Sequence, residues 1–219
     1  MFSEYHKIET PFERDIDGTK KLIEGQYRSK YVEQLSNCQW IFTEKIDGTN
    51  IRVCWDGHEF SFKGRTDKAQ LPAGLVLRLQ QLFLNDEMEE MVEQMFGDKE
   101  VMFIGEGYGA GIQAVGKDYK DDGQDFILFD VVVQGKYLDH DNVVQIATAL
   151  GLDMTPVVLT GTIDDAVKLV KTNPVSLCGT CVMEGVVGRL RYNMYDSRGN
   201  RMIVKIKCRD FLPVSKKSS

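Results

Sequence analysis

Six polar residues interrupt stretches that otherwise read as buried strands: Lys45 in EKIDGTN (44–50), Arg65 in FKGRT (62–66), Glu106 in FIGEGYG (103–109), Glu184 in MEGVV (183–187), and Lys205 and Lys207 in IVKIK (203–207). Lys45 poses the sharpest question. A strongly hydrated ammonium stands where an apolar frame, WIFTEK before it and IRVCW after it, meets the turn signal Asp47-Gly48. Each residue alone has a plain explanation. K-x-D-G arises by chance in on the order of a few per cent of chains this long. Lys205 and Lys207 alternate with Val204 and Ile206 and so share one strand face, ordinarily a solvated one. EGVVG reads equally well as an edge strand with a surface glutamate. Another candidate chemistry is CGTC, where Cys178 and Cys181 have the spacing of half a zinc site or a redox pair. No second pair accompanies it and the three histidines are scattered, so free thiols are the expectation.

The elements that must position these residues follow from periodicity. Trp40 to Glu44 and Asn50 to Trp55 read as strands joined across Lys45-Gly48, with Glu59 to Lys63 as a third after Asp56-Gly57, a meander. Between 75 and 96 apolar residues recur at helical spacing (Leu75, Leu79, Leu82, Phe83, then Met88, Met91, Val92, Met95), with Asn85-Asp86 as break and N-cap between two helices. Val101 to Gly105 and Phe126 to Val133 read as buried strands. Asn142 to Leu150 and Asp164 to Lys171 read as helices, the second behind a Thr/Asp cap. Cys181 to Leu190 and Arg201 to Cys208 read as a hairpin closed by YNMYDSRGN. Strands in runs with helices between runs predict an α+β fold with antiparallel sheets.

Composition bounds the class. The chain has 219 residues, 42% of them hydrophobic, which suits one domain over 1–219. No apolar run approaches the roughly 18 residues of a membrane span, and the N-terminus lacks a leader pattern. Five cysteines, an odd number without framework spacing, fit a reducing compartment, so a soluble intracellular protein is expected. A net charge of -6 advertises no global affinity for nucleic acid, so a polyanion must be held locally. The basic tail SKKSS reads as a frayed terminus.

Taken in order, EKIDGTN, FKGRT, FIGEGYG, FILFDVV (126–132), MEGVV and IVKIK resemble the ordered motifs of the covalent nucleotidyltransferase superfamily of ATP-dependent ligases and mRNA capping enzymes. The series is most similar to the RNA ligase family, especially the branch that seals nicks in double-stranded RNA. One departure bears on the substrate. That branch often has His where this chain has Asp47, the form closer to DNA ligases.

The resemblance implies a ligase/capping-enzyme nucleotidyltransferase fold with flanking helices. It also implies joining of 5′-phosphate and 3′-hydroxyl ends, RNA at a nick before other substrates, using ATP and Mg²⁺ or Mn²⁺. Lys45 becomes the nucleophile of a lysyl-AMP intermediate; its amine must be neutral to attack, and the cations Lys205 and Lys207 would favour that form. Arg65 would hold a phosphate, Glu106 the ribose hydroxyls, Phe129 the adenine and Glu44 the purine edge. Gly105 and Gly107 would let backbone approach the ligand. Glu184, with Asn50, would hold the hydrated metal, and Asp47 would assist the metal or cap its turn. An ATP-dependent DNA ligase, a GTP-dependent capping guanylyltransferase and a catalytically silent nucleic-acid-binding domain stay open as alternatives. Only CRDFLPVSKKSS follows Lys207, so no C-terminal OB or helical domain is expected. A monomer, with a partner protein as a possible source of substrate, completes the expectation.

Overall fold

The computed structural model describes residues 2–211. The tail SKKSS, and with it most of the segment on which the C-terminal expectation rests, lies outside the described residues. In chain order the elements are β1 (Phe12–Arg14), β2 (Leu22–Tyr27), α1 (Lys30–Leu35), β3 (Trp40–Lys45), β4 (Thr49–Trp55), β5 (Phe60–Gly64), α2 (Ala73–Phe83) and α3 (Asp86–Phe96). They continue with β6 (Val101–Gly109), α4 (Gly116–Tyr119), β7 (Gln124–Val133), β8 (Lys136–Tyr137), α5 (His140–Ala149), β9 (Val157–Gly161), α6 (Ile163–Lys171), β10 (Gly185–Leu190) and β11 (Ile203–Lys207). They form two compact units. One comprises residues 2–7, Ile46–Thr155 and Cys178–Cys181, the other Ile8–Lys45, Pro156–Leu177 and residues 182–211.

The first unit is built on a five-stranded antiparallel sheet in the order β5-β4-β6-β7-β8. Period-two alternation along β4 puts Ile51, Val53 and Trp55 on the core side and Asn50, Arg52 and Cys54 on the other. Helices α2 and α3 cover the core side with Leu75, Leu79 and Phe83, then Met88, Val92 and Phe96, each set spaced four apart and buried. Asn85 caps α3 as its sequence suggests, its side chain accepting the Met88 N–H at 3.0 Å. Met95 departs from expectation. The stripe of α3 runs on through Phe96, one residue along, and leaves Met95 exposed.

The second unit holds a four-stranded antiparallel sheet in the order β11-β10-β3-β9 and the β1-β2 pair. Helix α6 lays Ile163, Ala166, Val167 and Val170 on one face of the sheet, against Trp40, Phe42, Val186, Val204 and Ile206. Its N-terminus is fixed by a capping box between Thr162 and Asp165. The other face carries Lys45, Lys205 and Lys207.

The antiparallel α+β architecture agrees with the sequence, but the first strands do not form a meander. β3 pairs with β9 and β10, whereas β4 pairs with β5 and β6. Ile46–Gly48 is therefore a crossing between sheets. Gly48 is required by close approach, since a Cβ there would meet the Gly107 carbonyl oxygen and the Glu106 side chain. Strands β1, β2 and β9 and helix α1 carry no strong periodic signal and are seen only in the fold.

Candidate active site

In the second unit one register brings the cations together. Gly185 on β10 is paired with Lys45 on β3 and with Lys207 on β11. Directly paired residues of antiparallel strands share a face. Lys45 and Lys207 therefore flank, on one face, a residue without a side chain. A Cβ at Gly185 would collide with the Ile206 carbonyl and the Lys207 backbone. Glu184, whose carbonyl accepts the Cys208 N–H at 3.0 Å, places its carboxylate between the two ammonium groups. It accepts from Lys45 Nζ at 2.6 Å through one oxygen and from Lys207 Nζ through the other. Lys205, paired with Val187, lies one pleat further along the same face.

These side chains are largely shielded from water: Lys45 is 22%, Glu184 12% and Lys207 15% exposed. Their attraction is therefore screened less than that of a surface pair. Burial alone would raise the Glu184 carboxyl, but the adjacent Lys45 ammonium and the Lys207 hydrogen bond outweigh it and hold the group below the usual carboxylate range. What results is a carboxylate shared by two cations, beside a third lysine.

Glu44 precedes Lys45 and, by alternation, occupies the opposite face with Trp40 and Phe42. It is 1% exposed. Its carboxylate accepts from Ser176 Oγ at 2.5 Å and from the Leu177 N–H at 2.8 Å. Burial pushes its carboxyl up, and these two hydrogen bonds oppose the shift. In this conformation Glu44 anchors the segment around Ser176, and its role as a purine contact rests on the resemblance alone.

In the first unit, Asn50 on β4 and Glu106 on β6 are paired in register and share the face away from the core. The Asn50 amide oxygen is buried and has no hydrogen-bond partner among the described residues, so a hard oxygen donor is left for a ligand. Phe129 sits at a β-bulge. Gly105 pairs with Leu128 and Ile104 with Asp130, so Phe129 is the extra residue of the bulge, and its ring packs 5.5 Å from that of Tyr5. Bulges of this kind re-aim a side chain. Arg65 is exposed just after β5. Its loop is held by the fully buried Arg52, which donates to the Gly64 carbonyl at 2.8 Å and to Asp67 at 2.9 Å.

The turn after Lys45 is held by two residues that the sequence does not single out. Tyr119 Oη accepts the Asp47 N–H at 3.3 Å, and Gln113 Nε2 donates to the Gly48 carbonyl at 2.9 Å. Ser176, Tyr5 and Arg52 likewise carry no local signal, since each acts through a partner distant in sequence. For Gly105 and Gly107, approach of a ligand to the backbone rests on the resemblance. A Cβ at Gly105 would meet the Phe126 ring and the Ile127 carbonyl, and one at Gly107 would meet Leu75 and Ile51, so both serve packing on the core side. All five cysteines are free thiols. Among the described residues no three His, Cys, Asp or Glu are clustered to hold a metal by themselves, and no helix is long and apolar enough to cross a membrane.

A family model described as RNA ligase matches residues 38–207. Structures of Naegleria gruberi RNA ligase share the fold. A Lys→Met variant with AMP and Mn is 18% identical with a TM-score of 0.61, aligned over 91% of this chain and 60% of that one. A Glu→Ala variant with ATP and Mn is 20% identical with a TM-score of 0.64, over 93% and 59%. The enzyme with PPi is 19% identical with a TM-score of 0.61, over 93% and 61%. This chain thus spans about three fifths of those structures. No curated protein matches the sequence.

Proposed function

Because the chain belongs to the RNA ligase family, we propose that it is an ATP-dependent RNA ligase in which Lys45 is the nucleophile. The observation that carries this reading is the shared carboxylate. Lys45 and Lys207, far apart in sequence, meet at Glu184 on one sheet face, with Lys205 beside them. Three lysines on one face suit a polyphosphate, and one partly buried amine suits covalent chemistry.

In this reading the Lys45 Nζ lone pair forms a bond to the α-phosphorus of ATP while the bond from that phosphorus to the β-phosphate oxygen breaks. Pyrophosphate leaves and the amine loses its proton. The AMP then passes to a 5′-phosphate, and a 3′-hydroxyl displaces it to join the strands. Lys205 and Lys207 neutralise charge on the phosphates, and Arg65 grips a phosphate through its guanidinium fork. Glu106 binds the ribose hydroxyls and Phe129 stacks on the base. The domain so proposed is a single adenylyltransferase domain over 1–219.

Glu184 in the second unit and, taken separately, the unpartnered Asn50 oxygen in the first are each a donor of the kind Mg²⁺ or Mn²⁺ takes beside waters and substrate phosphates. Bound there, the ion would supply charge neutralisation at the phosphates. The Naegleria gruberi structures solved with ATP, AMP and Mn support the same nucleotide and metal here. A nick in duplex RNA is the preferred substrate, from the motif resemblance, and a partner protein could deliver it.

The test is incubation with Mg²⁺ and α-labelled ATP or GTP, followed by denaturing electrophoresis. Covalent label from ATP is expected. Label from GTP alone would assign capping chemistry, and no label would assign a silent domain.

A further inference from the structure

The hairpin joining β10 to β11 carries RYNMYDSRGN (191–200), and its structure is more elaborate than a connection needs. Asp196 accepts the backbone N–H of Arg198 at 2.9 Å and of Asn200 at 2.8 Å through one oxygen, and the Asn200 side-chain amide at 2.9 Å through the other. Gly199 takes a φ of 80°, as this tight return requires. The Met202 N–H reaches the Met194 carbonyl at 2.8 Å, and Arg201 Nε, in a buried residue, donates to Asn193 at 2.7 Å. Helix α1 is tied to the same loop by the Tyr31 hydroxyl, which donates to Ser197 Oγ at 2.8 Å.

This ordered frame holds large side chains out in solvent: Tyr192 is 67%, Tyr195 49%, Met194 47% and Tyr31 43% exposed. Several exposed apolar groups on one frame mark an interaction surface. Arg191 and Arg198 are exposed among them. Residues 191–200 contain two arginines against one aspartate, in a chain whose net charge is -6. Local cations beside aromatic faces suit a polyanion that also offers π faces. Single-stranded nucleic acid does both, because its bases stack on rings while its phosphates meet guanidinium groups.

We propose that Tyr31, Tyr192 and Tyr195, with Arg198, form a stacking platform for single-stranded RNA. That the occupant is RNA rests on the ligase reading above; that it is a single-stranded stretch, apart from the paired bases at a nick, rests on the exposed rings, since paired bases present no free face.

The test is fluorescence anisotropy of a short fluorescein-labelled single-stranded RNA titrated with the full chain over a salt series. The variant Tyr192→Ala/Tyr195→Ala should bind at least about fivefold more weakly. Tyr192→Phe/Tyr195→Phe should bind as wild type, since the rings remain. Arg198→Ala should lower the slope of log affinity against log salt by about 0.7, one phosphate on a single strand. Self-labelling with α-labelled ATP should be unchanged in all three, because none of these residues belongs to the Lys45 cluster. Normal self-labelling with undiminished RNA affinity in the double alanine variant would overturn the platform and turn attention to a protein partner. Tyrosine-dependent RNA binding without self-labelling in the wild type would remove the ligase reading and leave the platform standing.

Discussion

Lys45 and Lys207 stand opposite the same residue, Gly185, on the two strands that flank β10, and they share the carboxylate of Glu184. This register turns two residues far apart in sequence into one electrostatic unit. Glu184 lies 2.6 Å from Lys45 Nζ and accepts from Lys207 as well, so one carboxylate holds both side chains on the same face.

The first consequence concerns Lys45 itself. Lys45→Ala should abolish covalent labelling from ATP, and Lys45→Arg should do so too, because a guanidinium stays protonated at any working pH. Lys45→Arg, which keeps a cation beside Glu184, should keep an unfolding midpoint near that of the wild type. Labelled Lys45→Arg protein would place the nucleophile elsewhere.

Glu184 offers a contrast between charge and shape. Glu184→Gln keeps the volume but leaves Lys45 and Lys207 as neighbouring cations without a carboxylate, so the unit should lose about 1–3 kcal/mol of stability. Self-labelling should fall by an order of magnitude or more and respond weakly to added Mg²⁺. A variant with wild-type labelling across a Mg²⁺ titration would separate Glu184 from both nucleophile and metal.

Only pieces of this cluster are legible in local signals; that Lys45, Glu184, Lys205 and Lys207 belong together comes from the resemblance. The alternation of Lys205 and Lys207 with Val204 and Ile206 implies their common face, and the caps at Asn85 and Thr162 mark two helix starts. Pairing between distant strands is not legible. Nothing in EKIDGTN says that the chain changes sheets after Lys45, and the Asp-Gly signal imitates a hairpin turn. The bulge at Phe129 and the burial of Glu44 against Ser176 depend on partners remote in sequence, which periodicity does not see.

On the proposed roles, Lys205 and Lys207 should separate from Arg65 by step. Lys205→Ala or Lys207→Ala should slow lysyl-AMP formation by about tenfold or more, the scale of losing one charge-assisted hydrogen bond. Arg65→Ala, on its exposed loop, should in addition impair sealing of a strand that already carries a 5′-adenylate. If both lysine variants label at the wild-type rate, the shared strand face has no part in the first step.

Glu44 distinguishes an anchor from a nucleotide contact. Glu44→Ala removes the carboxylate that accepts from the buried Ser176 hydroxyl and from the partly buried Leu177 N–H, which should cost about 1–3 kcal/mol. The ATP concentration for half-maximal labelling should change little in protein that remains folded. An unchanged unfolding midpoint with a large rise in that concentration would assign Glu44 to the purine.

Acid should attack the first unit through Asp125. This side chain, 12% exposed, accepts from Arg78 Nε at 2.8 Å, from Lys120 Nζ at 3.2 Å and from the Phe126 N–H at 3.0 Å. Burial raises its carboxyl, but these donors, led by Arg78, bring it below the ordinary range. A depressed folded pKa means that the unfolded chain binds the proton first as pH falls, so the contribution is complete above the unfolded value, about 3.9 for Asp. It is lost as pH drops from there through the folded value. Because Arg78 and Lys120 are themselves more than a third exposed, solvent screening keeps the effect modest. Asp125→Asn cannot titrate, so it should be less stable than the wild type at neutral pH, and the difference should shrink below about pH 4. Denaturant unfolding of both proteins at neutral pH and near pH 3 checks this, and a constant difference between them would show that Asp125 is not held ionised by its partners.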